Sequence, residues 1–353
     1  MAATVRPSAR TQPVPAMLAR YAPGIVLCAV VAVLSVAGAA LETRLFGHPI
    51  IEGLVLAILV GMAIRTAWTP PATMNAGVGF TAKQVLEVAV FLLGASVDLP
   101  LLVRAGPALA VGIVLLVILG LSASYGIGRA LGLPHRLAVL VATGNSICGN
   151  SAIAAVAPVI RAEREHVASA IAFTAILGVV VVLGLPLLMH PLGLSFYQYG
   201  VLAGLTVYAV PQVLAAAFPV SVLSGQVGTL VKLVRVLMLG PVVTFFAIRA
   251  ARETTAENGE RPAFRLTRFV PWFIIGFLAL AVLRSLGAIP TPIVDVTRTL
   301  STWLTVAAMA ALGLGVDLRA IRRVGAPVIA TVSLSLCVLV VLSVTLIHGL
   351  RIR

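Results

Sequence analysis

Residues 137–158 read LAVLVATGNSICGNSAIAAVAP, an apolar segment that two Gly-Asn-Ser triplets interrupt near its centre. Gly and Asn are poor helix formers, and Asn and Ser side chains compete for backbone hydrogen bonds. Within a bilayer, a broken helix is tolerated only where it is buried in protein or lines a water-filled cavity. The segment therefore predicts a membrane helix that unwinds at its centre.

The composition of the whole chain indicates a membrane protein. The 353 residues are 60% hydrophobic and 10% charged, and the mean hydropathy is +1.12. Soluble domains average about 45–50% apolar and about 25% charged residues. Apolar runs long enough to cross a bilayer as helices recur along the chain. We expect an all-α, polytopic protein with about eleven transmembrane helices, at roughly 23–41, 50–66, 82–98, 106–126, 137–160, 167–189, 198–217, 227–248, 268–285, 298–316 and 325–348.

Charge patterning orients these predicted spans. Lys and Arg residues are more frequent in the loops on the side of the N-terminus, which favours a cytoplasmic N-terminus in the cell inner (plasma) membrane. The net charge of +14 lies mostly at the ends of apolar runs, with no aromatic-interleaved basic stripe, so nucleic acid is not an expected partner. The expected organisation is a tail at 1–22, spans one to six at 23–189 and spans seven to eleven at 190–353.

Two helix-end stretches resemble each other. Residues 94–99 read GASVDL and residues 313–318 read GLGVDL, at ends of predicted spans that run in opposite directions. One interpretation is an inverted repeat, which many transporters use to place a site at the bilayer midplane. The other is a recurrent helix end, with Gly for close packing and Asp98 or Asp317 at the interface. Both interpretations stay open.

The predicted unwound centre offers an anion-binding site. A free helix N-terminus presents N–H donors and a positive dipole end, and the polar side chains Asn145, Ser146, Asn150 and Ser151 lie beside it. The alternative is a close helix crossing made by small residues. Two asparagines are not needed for such a crossing, so we favour the binding site.

Spans seven and eight supply further candidates for the substrate site. Tyr208 and Gln212 lie one helical turn apart beside Pro211, which bends a helix. An ordinary proline kink with an interhelical Gln hydrogen bond is the alternative. Lys232 and Arg235 lie three residues apart inside an apolar run. Such cations are costly unless they are paired or hydrated, so they either bind the anion, serve gating or form a structural ion pair.

The remaining charged candidates are Lys83 and Glu87, one turn apart in span three. They form either a local ion pair or a coupling or gating element, with Glu87 as a partner of Arg235. The sequence shows no metal-ligand spacing among its His and Cys residues, and we expect no metal and no cofactor. The expected partners are a small anionic substrate and the lipid bilayer, and association as a homodimer stays open.

Residues 144–152 (GNSICGNSA) and 231–239 (VKLVRVLML) together resemble the YeiH-like family of proposed sulfate exporters, from about residue 23 onward. That family is grouped with the bile-acid:sodium symporter superfamily. The resemblance implies two inverted five-span repeats, broken helices that cross, and separate core and panel domains. It also implies that spans five and ten are the crossing pair, with Gly313 and Gly315 at the second break. Tyr208-Ala209 replaces a His-Glu pair common in the family, and Pro211 replaces an Ala.

These observations predict a secondary active transporter of a small anion, namely sulfate, a sulfonate or a small organic anion. It would work by alternating access around broken helices near the bilayer midplane. A passive anion channel is the first alternative and an intramembrane enzyme the second. No zinc-protease, prenyl-phosphate or serine–histidine pattern supports the enzyme, so we expect a protein that is not an enzyme.

Overall fold

The computed structural model describes residues 14–46, 53–96, 106–258, 272–317, 319 and 325–350. Over these ranges the protein is helical and contains no strand. The helices are α1 (Val14–Phe46), α2 (Gly53–Ala67), α3 (Ala72–Ser96), α4 (Gly106–Ala130), α5 (His135–Thr143), α6 (Asn150–Val156), α7 (Arg164–Gly184), α8 (Phe196–Thr206), α9 (Val210–Ala217), α10 (Val222–Leu237), α11 (Leu239–Asn258), α12 (Trp272–Ser285), α13 (Thr291–Leu314) and α14 (Ala326–Gly349).

The lengths and compositions of these helices confirm a polytopic membrane protein. Among the described residues, six segments are long and apolar enough to cross a membrane: Ala19–Leu45, Ala72–Ser96, Pro107–Ala130, Arg164–Leu188, Val222–Arg249 and Ala326–Gly349. Gly53–Ala67 and Trp272–Ser285 are shorter apolar helices. Helical structure covers part of every predicted span, while the count of eleven crossings stays a prediction. Helix α1 begins at Val14, within the predicted tail 1–22.

The helices pack as two bundles. The smaller bundle contains α1, α2, α3, α12 and α13, and the larger bundle contains α4 to α11 together with α14. Helix α9 packs against α2 and α13, and α7 packs against α2, which joins the bundles. Each bundle draws helices from both sides of residue 190, so the packing does not follow the two predicted chain halves.

Glycine contacts set the helix crossings of the smaller bundle. Gly24 faces Gly77 where α1 meets α3, and Gly61 faces Gly313 where α2 meets α13. A Cβ on any of these glycines would overlap backbone atoms of the facing helix. Small residues allow such close backbone approach, which suits helix packing in lipid.

The structure corrects the predicted second break. Helix α13 runs without interruption from Thr291 to Leu314, and Gly315 only caps its C-terminus with φ −83°. Gly313 therefore does not break the helix but provides a close contact with α2, and the pairing of spans five and ten as crossing broken helices stays a prediction. Asp317 accepts a hydrogen bond from the Arg319 backbone N–H at 2.9 Å, as expected of a helix-end residue. Asp98 lies outside the described residues.

Candidate functional site

The first interruption lies in the predicted segment but is shorter than expected. Helix α5 ends at Thr143 and continues as a single wide π turn, Gly144–Cys148. At Gly149 the backbone turns to φ 64° and ψ −127°, a conformation open mainly to glycine. Helix α6 then begins at Asn150. The Gly-Asn-Ser centre is therefore a kinked, mostly helical junction rather than an extended loop.

A second interruption separates α8 from α9 in span seven. Val207 and Ala209 have extended backbone, with ψ 144° and ψ 149°. Helix α9 begins at Val210, and Pro211 occupies its first turn, where a missing N–H leaves no unmet hydrogen bond. The Gln212 side-chain oxygen accepts the Ala209 backbone N–H at 3.2 Å. Gln212 thus caps its own helix.

The two interruptions meet. A Cβ built on Gly149 would lie 3.2 Å from the Cβ of Tyr208, so the two breaks are in direct contact. Helix α10 packs closely along α8, because Gly200 lies against Ser224 and Gly204 lies against Gly228. This close packing brings the cationic side chains of α10 to the ends of both broken helices.

Lys232 and Arg235 donate hydrogen bonds to backbone carbonyls at both breaks. The Lys232 ammonium donates to the carbonyl of Ile147 at 2.5 Å and to that of Val207 at 2.8 Å. Both side chains are fully buried.

The Arg235 guanidinium makes three bonds of the same kind. Its Nε donates to the Ser146 carbonyl at 2.7 Å, its Nη2 to the Asn145 carbonyl at 2.6 Å, and its Nη1 to the Leu205 carbonyl. The last carbonyls of a helix have no intrahelical donor. The two cations thus satisfy carbonyls that the interruptions leave free.

These contacts revise the predicted role of the cations. Lys232 and Arg235 were expected to neutralise an anion or to pair with an acidic residue, yet the bonds found go to backbone carbonyls. Each helix C-terminus carries roughly half a negative charge and each N-terminus roughly half a positive one, and both kinds of end meet at the junction, so the helix ends do not neutralise the cations. No Asp or Glu is buried in the part of the chain that the structure describes. The junction therefore keeps a positive charge inside the membrane domain.

Three buried polar atoms at the junction have no hydrogen-bond partner among the described residues. They are Asn145 Oδ1, Ser146 Oγ and the Tyr208 hydroxyl. Leaving such a group unsatisfied costs about 1–3 kcal/mol. The sequence prediction placed all three in the substrate site, and the structure brings them to the same junction, closed to solvent.

Asn150 and Ser151 differ from these three because both are exposed. The Asn150 side-chain oxygen accepts a hydrogen bond from Thr174 Oγ1 at 2.5 Å. Their position at the first turn of α6 makes this turn the accessible edge of the junction.

The predicted gating pair does not join the site. Lys83 is exposed, and Glu87 accepts a hydrogen bond from the Trp272 indole N–H at 2.8 Å, which links α3 to α12. Both residues belong to the smaller bundle. The proposed contact of Glu87 with Arg235 is not formed, since Glu87 bonds to Trp272 while the Arg235 guanidinium bonds to backbone carbonyls.

Sequence reasoning missed a cavity of about 220 Å³ between the two bundles. It is lined by Leu54, Leu93, Ser96, Arg298, Ser301, Thr302 and Thr305 from the smaller bundle and by Leu214, Phe218, Val222 and Gln226 from the larger one. Polar residues at positions 298, 301, 302 and 305 recur at helical spacing within an apolar span. This spacing is the feature of the sequence from which the polar side of the cavity could have been predicted.

Comparison with known proteins places the chain in a family. A family model described as conserved hypothetical protein 698 matches residues 23–332. A UPF0324 membrane protein of Bradyrhizobium diazoefficiens is 53% identical over 335 residues, covering 95% of this chain and 94% of the relative. A UPF0324 membrane protein of Brucella suis is 54% identical over 331 residues, covering 94% of this chain and 97% of the relative.

More distant relatives preserve the match over most of the chain. A UPF0324 membrane protein of Bacillus cereus is 35% identical over 297 residues, covering 84% of this chain and 86% of the relative. The matched residues 23–332 include both interruptions, the two buried cations and the polar side of the cavity. The chain therefore belongs to the UPF0324 family of membrane proteins, which the model of conserved hypothetical protein 698 describes.

Proposed function

We propose that this protein is a secondary active transporter of a small anion, such as sulfate, a sulfonate or a small organic anion, and that it works by alternating access. The observation that carries the proposal is the junction of two interrupted helices around Lys232 and Arg235. Non-helical backbone at membrane depth is tolerated where it is buried or lines a cavity, and transporters use such helices at their substrate sites.

The charge at the junction selects the sign of the substrate. Because no buried Asp or Glu among the described residues offsets the two cations, an approaching anion gains electrostatic energy and a cation loses it. The cations also retain donor capacity, because a guanidinium has five N–H groups and an ammonium three. Three and two of these, respectively, bond to backbone carbonyls.

The division into two bundles supports movement of one bundle against the other. The closest packing between them involves α9 with α2 and α13 and α7 with α2, and a hydrogen bond from Gln226 of α10 to the Ser96 carbonyl of α3 adds a further contact. The cavity of about 220 Å³ lies along the same boundary. A boundary of this kind permits sliding or rocking, as in secondary transporters that move around a fixed site.

The proposal is tested by uptake of radiolabelled sulfate, thiosulfate and methanesulfonate into vesicles that contain the purified protein. We expect saturable uptake of at least one anion that depends on an imposed ion gradient. Ser151→Ala, at the exposed edge of the junction, is expected to lower uptake at least severalfold, while Thr43→Ala, an exposed change on α1, leaves it unchanged. Uptake that never saturates and ignores the gradient would indicate a passive channel, and absence of uptake for all anions tested would contradict transport of these substrates.

A further inference from the structure

The cavity between the bundles has a polar side and an apolar side. Ser96, Arg298, Ser301, Thr302 and Thr305 form the polar side. The volume of about 220 Å³ far exceeds the roughly 10–15 Å³ that accommodates one water molecule. The cavity can therefore hold a molecule much larger than a single water molecule.

Two polar groups on this side are available to a ligand. The Ser96 hydroxyl is buried, with 8% of the residue exposed, and has no hydrogen-bond partner among the described residues. Arg298 lies at the more exposed part of the lining, and no carboxylate in the described ranges forms an ion pair with it. A buried, unpartnered hydroxyl and an unpaired guanidinium that line the same cavity favour an anionic head group.

Other polar groups of the lining are already satisfied within the protein. Ser301 Oγ donates to the Ala89 carbonyl at 2.7 Å, and Thr305 Oγ1 donates to the Ser301 carbonyl at 2.7 Å. Gln226 Nε2 donates to the Ser96 carbonyl at 2.8 Å, which bridges the two bundles at the cavity. Thr302 Oγ1 donates to the Arg298 backbone carbonyl at 2.9 Å. Among the described residues, the Ser96 hydroxyl and the Arg298 guanidinium therefore remain as the donors of the polar side that are available to a ligand.

The opposite side is apolar. Leu54 and Leu93 from the smaller bundle face the same space as Leu214, Phe218 and Val222 from the larger bundle. Inorganic sulfate has no group that gains from contact with such side chains. An alkyl chain or a small ring does, by about 0.8 kcal/mol for each methylene group removed from water.

We propose that this cavity is a binding site for an organic anion with one carboxylate or sulfonate group and a short apolar body. Arg298 and Ser96 hold the anionic group, and the leucine, phenylalanine and valine side chains enclose the body. The site is separate from the junction at Gly149 and Tyr208, and binding here does not depend on the proposed transport activity. It assigns the boundary between the bundles a specificity for amphipathic anions over inorganic ones.

The experiment measures equilibrium binding to the purified full-length chain by calorimetry, with sulfate, methanesulfonate, butanesulfonate and pentanoate as probes. Affinity for the sulfonates is expected to rise about fourfold for each methylene group that is buried, which is 0.8 kcal/mol converted to a ratio. Pentanoate compares a carboxylate with a sulfonate on the same alkyl length. Sulfate is expected to bind more weakly than butanesulfonate by tenfold or more.

Three variants assign the binding to the cavity. Arg298→Gln is expected to weaken butanesulfonate binding at least tenfold, since a hydrogen bond to a charged group is lost. Ser96→Ala removes a hydroxyl that has no partner in the protein, so the unliganded protein keeps its thermal stability while binding weakens severalfold. Arg44→Gln, an exposed arginine at the end of α1, is the matched control and keeps wild-type affinity.

Equal affinity for sulfate and butanesulfonate, unchanged affinity in both Arg298→Gln and Ser96→Ala, or no binding of any probe would overturn the inference. If the protein binds the probes in the expected pattern but does not transport anions, the binding site is supported and the proposed transport function is contradicted. If the protein transports sulfate but does not bind butanesulfonate, the transport function is supported and the binding site in the cavity is contradicted.

Discussion

The two helix interruptions both end one helix and start another within a predicted membrane span, but they differ in backbone geometry. The first turns at a single residue, Gly149, whose φ of 64° and ψ of −127° suit glycine alone. The second uses extended backbone at Val207 and Ala209, which any residue can adopt, and then starts a new helix at Val210. Both leave carbonyls without intrahelical donors, and the same two side chains of α10 satisfy carbonyls at each. The breaks therefore differ in their tolerance of substitution but share their electrostatic support.

The largest effect is expected from Arg235→Leu, which removes the side chain that donates the larger number of hydrogen bonds to the two breaks. The carbonyls of Asn145, Ser146 and Leu205 would lose a partner in a buried place. We expect a loss of about 3–5 kcal/mol in the free energy of unfolding, comparable to removal of one member of a buried charged pair. Thermal unfolding of the detergent-purified protein measures it.

Lys232→Met and Arg44→Leu provide the comparison for that change. Lys232→Met removes two bonds where Arg235→Leu removes three, so its effect is expected to be smaller but of the same kind. Arg44 is exposed, and its substitution is expected to leave the unfolding temperature unchanged. Wild-type stability in Arg235→Leu would show that the arginine does not support the breaks.

A smaller effect is expected from Gly149→Ala, which distinguishes the two interruptions. Alanine is strained at φ 64°, and its Cβ would lie 3.2 Å from that of Tyr208. The expected cost is about 1–3 kcal/mol. Val207→Ala at the second break keeps the extended backbone and avoids that strain, although it removes buried apolar atoms. Trypsin sensitivity and thermal unfolding would record the contrast, and a Gly149→Ala protein as stable as wild type would mean that the turn at residue 149 is not formed.

The smallest effect is expected from Gln212→Ala. The Gln212 side chain accepts the Ala209 backbone N–H at 3.2 Å and packs against Gly178 of α7. Loss of a capping interaction costs about 0.5–2 kcal/mol. Glutamate at this position accepts the same N–H, so Gln212→Glu tests whether capping alone explains the residue. If the Gln212→Ala protein has full stability but strongly reduced anion uptake, Gln212 contributes to the substrate site rather than only to helix capping.

The membrane class and the place of the first break could be predicted from sequence because both depend on local properties. Apolar run length sets the membrane helices, and the Gly-Asn-Ser triplets mark the interruption around Gly149. The second break gave a weaker signal, since Pro211 suits both a kink and a helix start. The predicted break at Gly313 and Gly315 was wrong, because glycine serves close helix contacts as well as broken backbone.

The partners of the buried cations could not be predicted in the same way. Lys232 and Arg235 reach carbonyls contributed by residues 25 to 90 positions away, and sequence spacing does not show which helix ends will meet. The cavity could not be predicted for the same reason, because its lining combines residues of both bundles that lie far apart in the sequence. At the site of the buried cations, the cationic side chains donate hydrogen bonds to backbone carbonyls. Because every residue has a backbone carbonyl, the sequence gives no pattern from which these partners could be predicted.

The proposed transport mechanism requires that the interrupted helices expose an anion site alternately to the two sides of the membrane. Counterflow measures this directly. Vesicles that contain the protein are loaded with an excess of the unlabelled anion, chosen as the one that the uptake experiment shows to be transported. They are then diluted into a trace of the labelled anion, and the label inside the vesicles is measured over time. We expect a transient accumulation of label above its equilibrium level, because a carrier exchanges one anion for another. A simple rise to equilibrium, without any overshoot, would contradict alternating access.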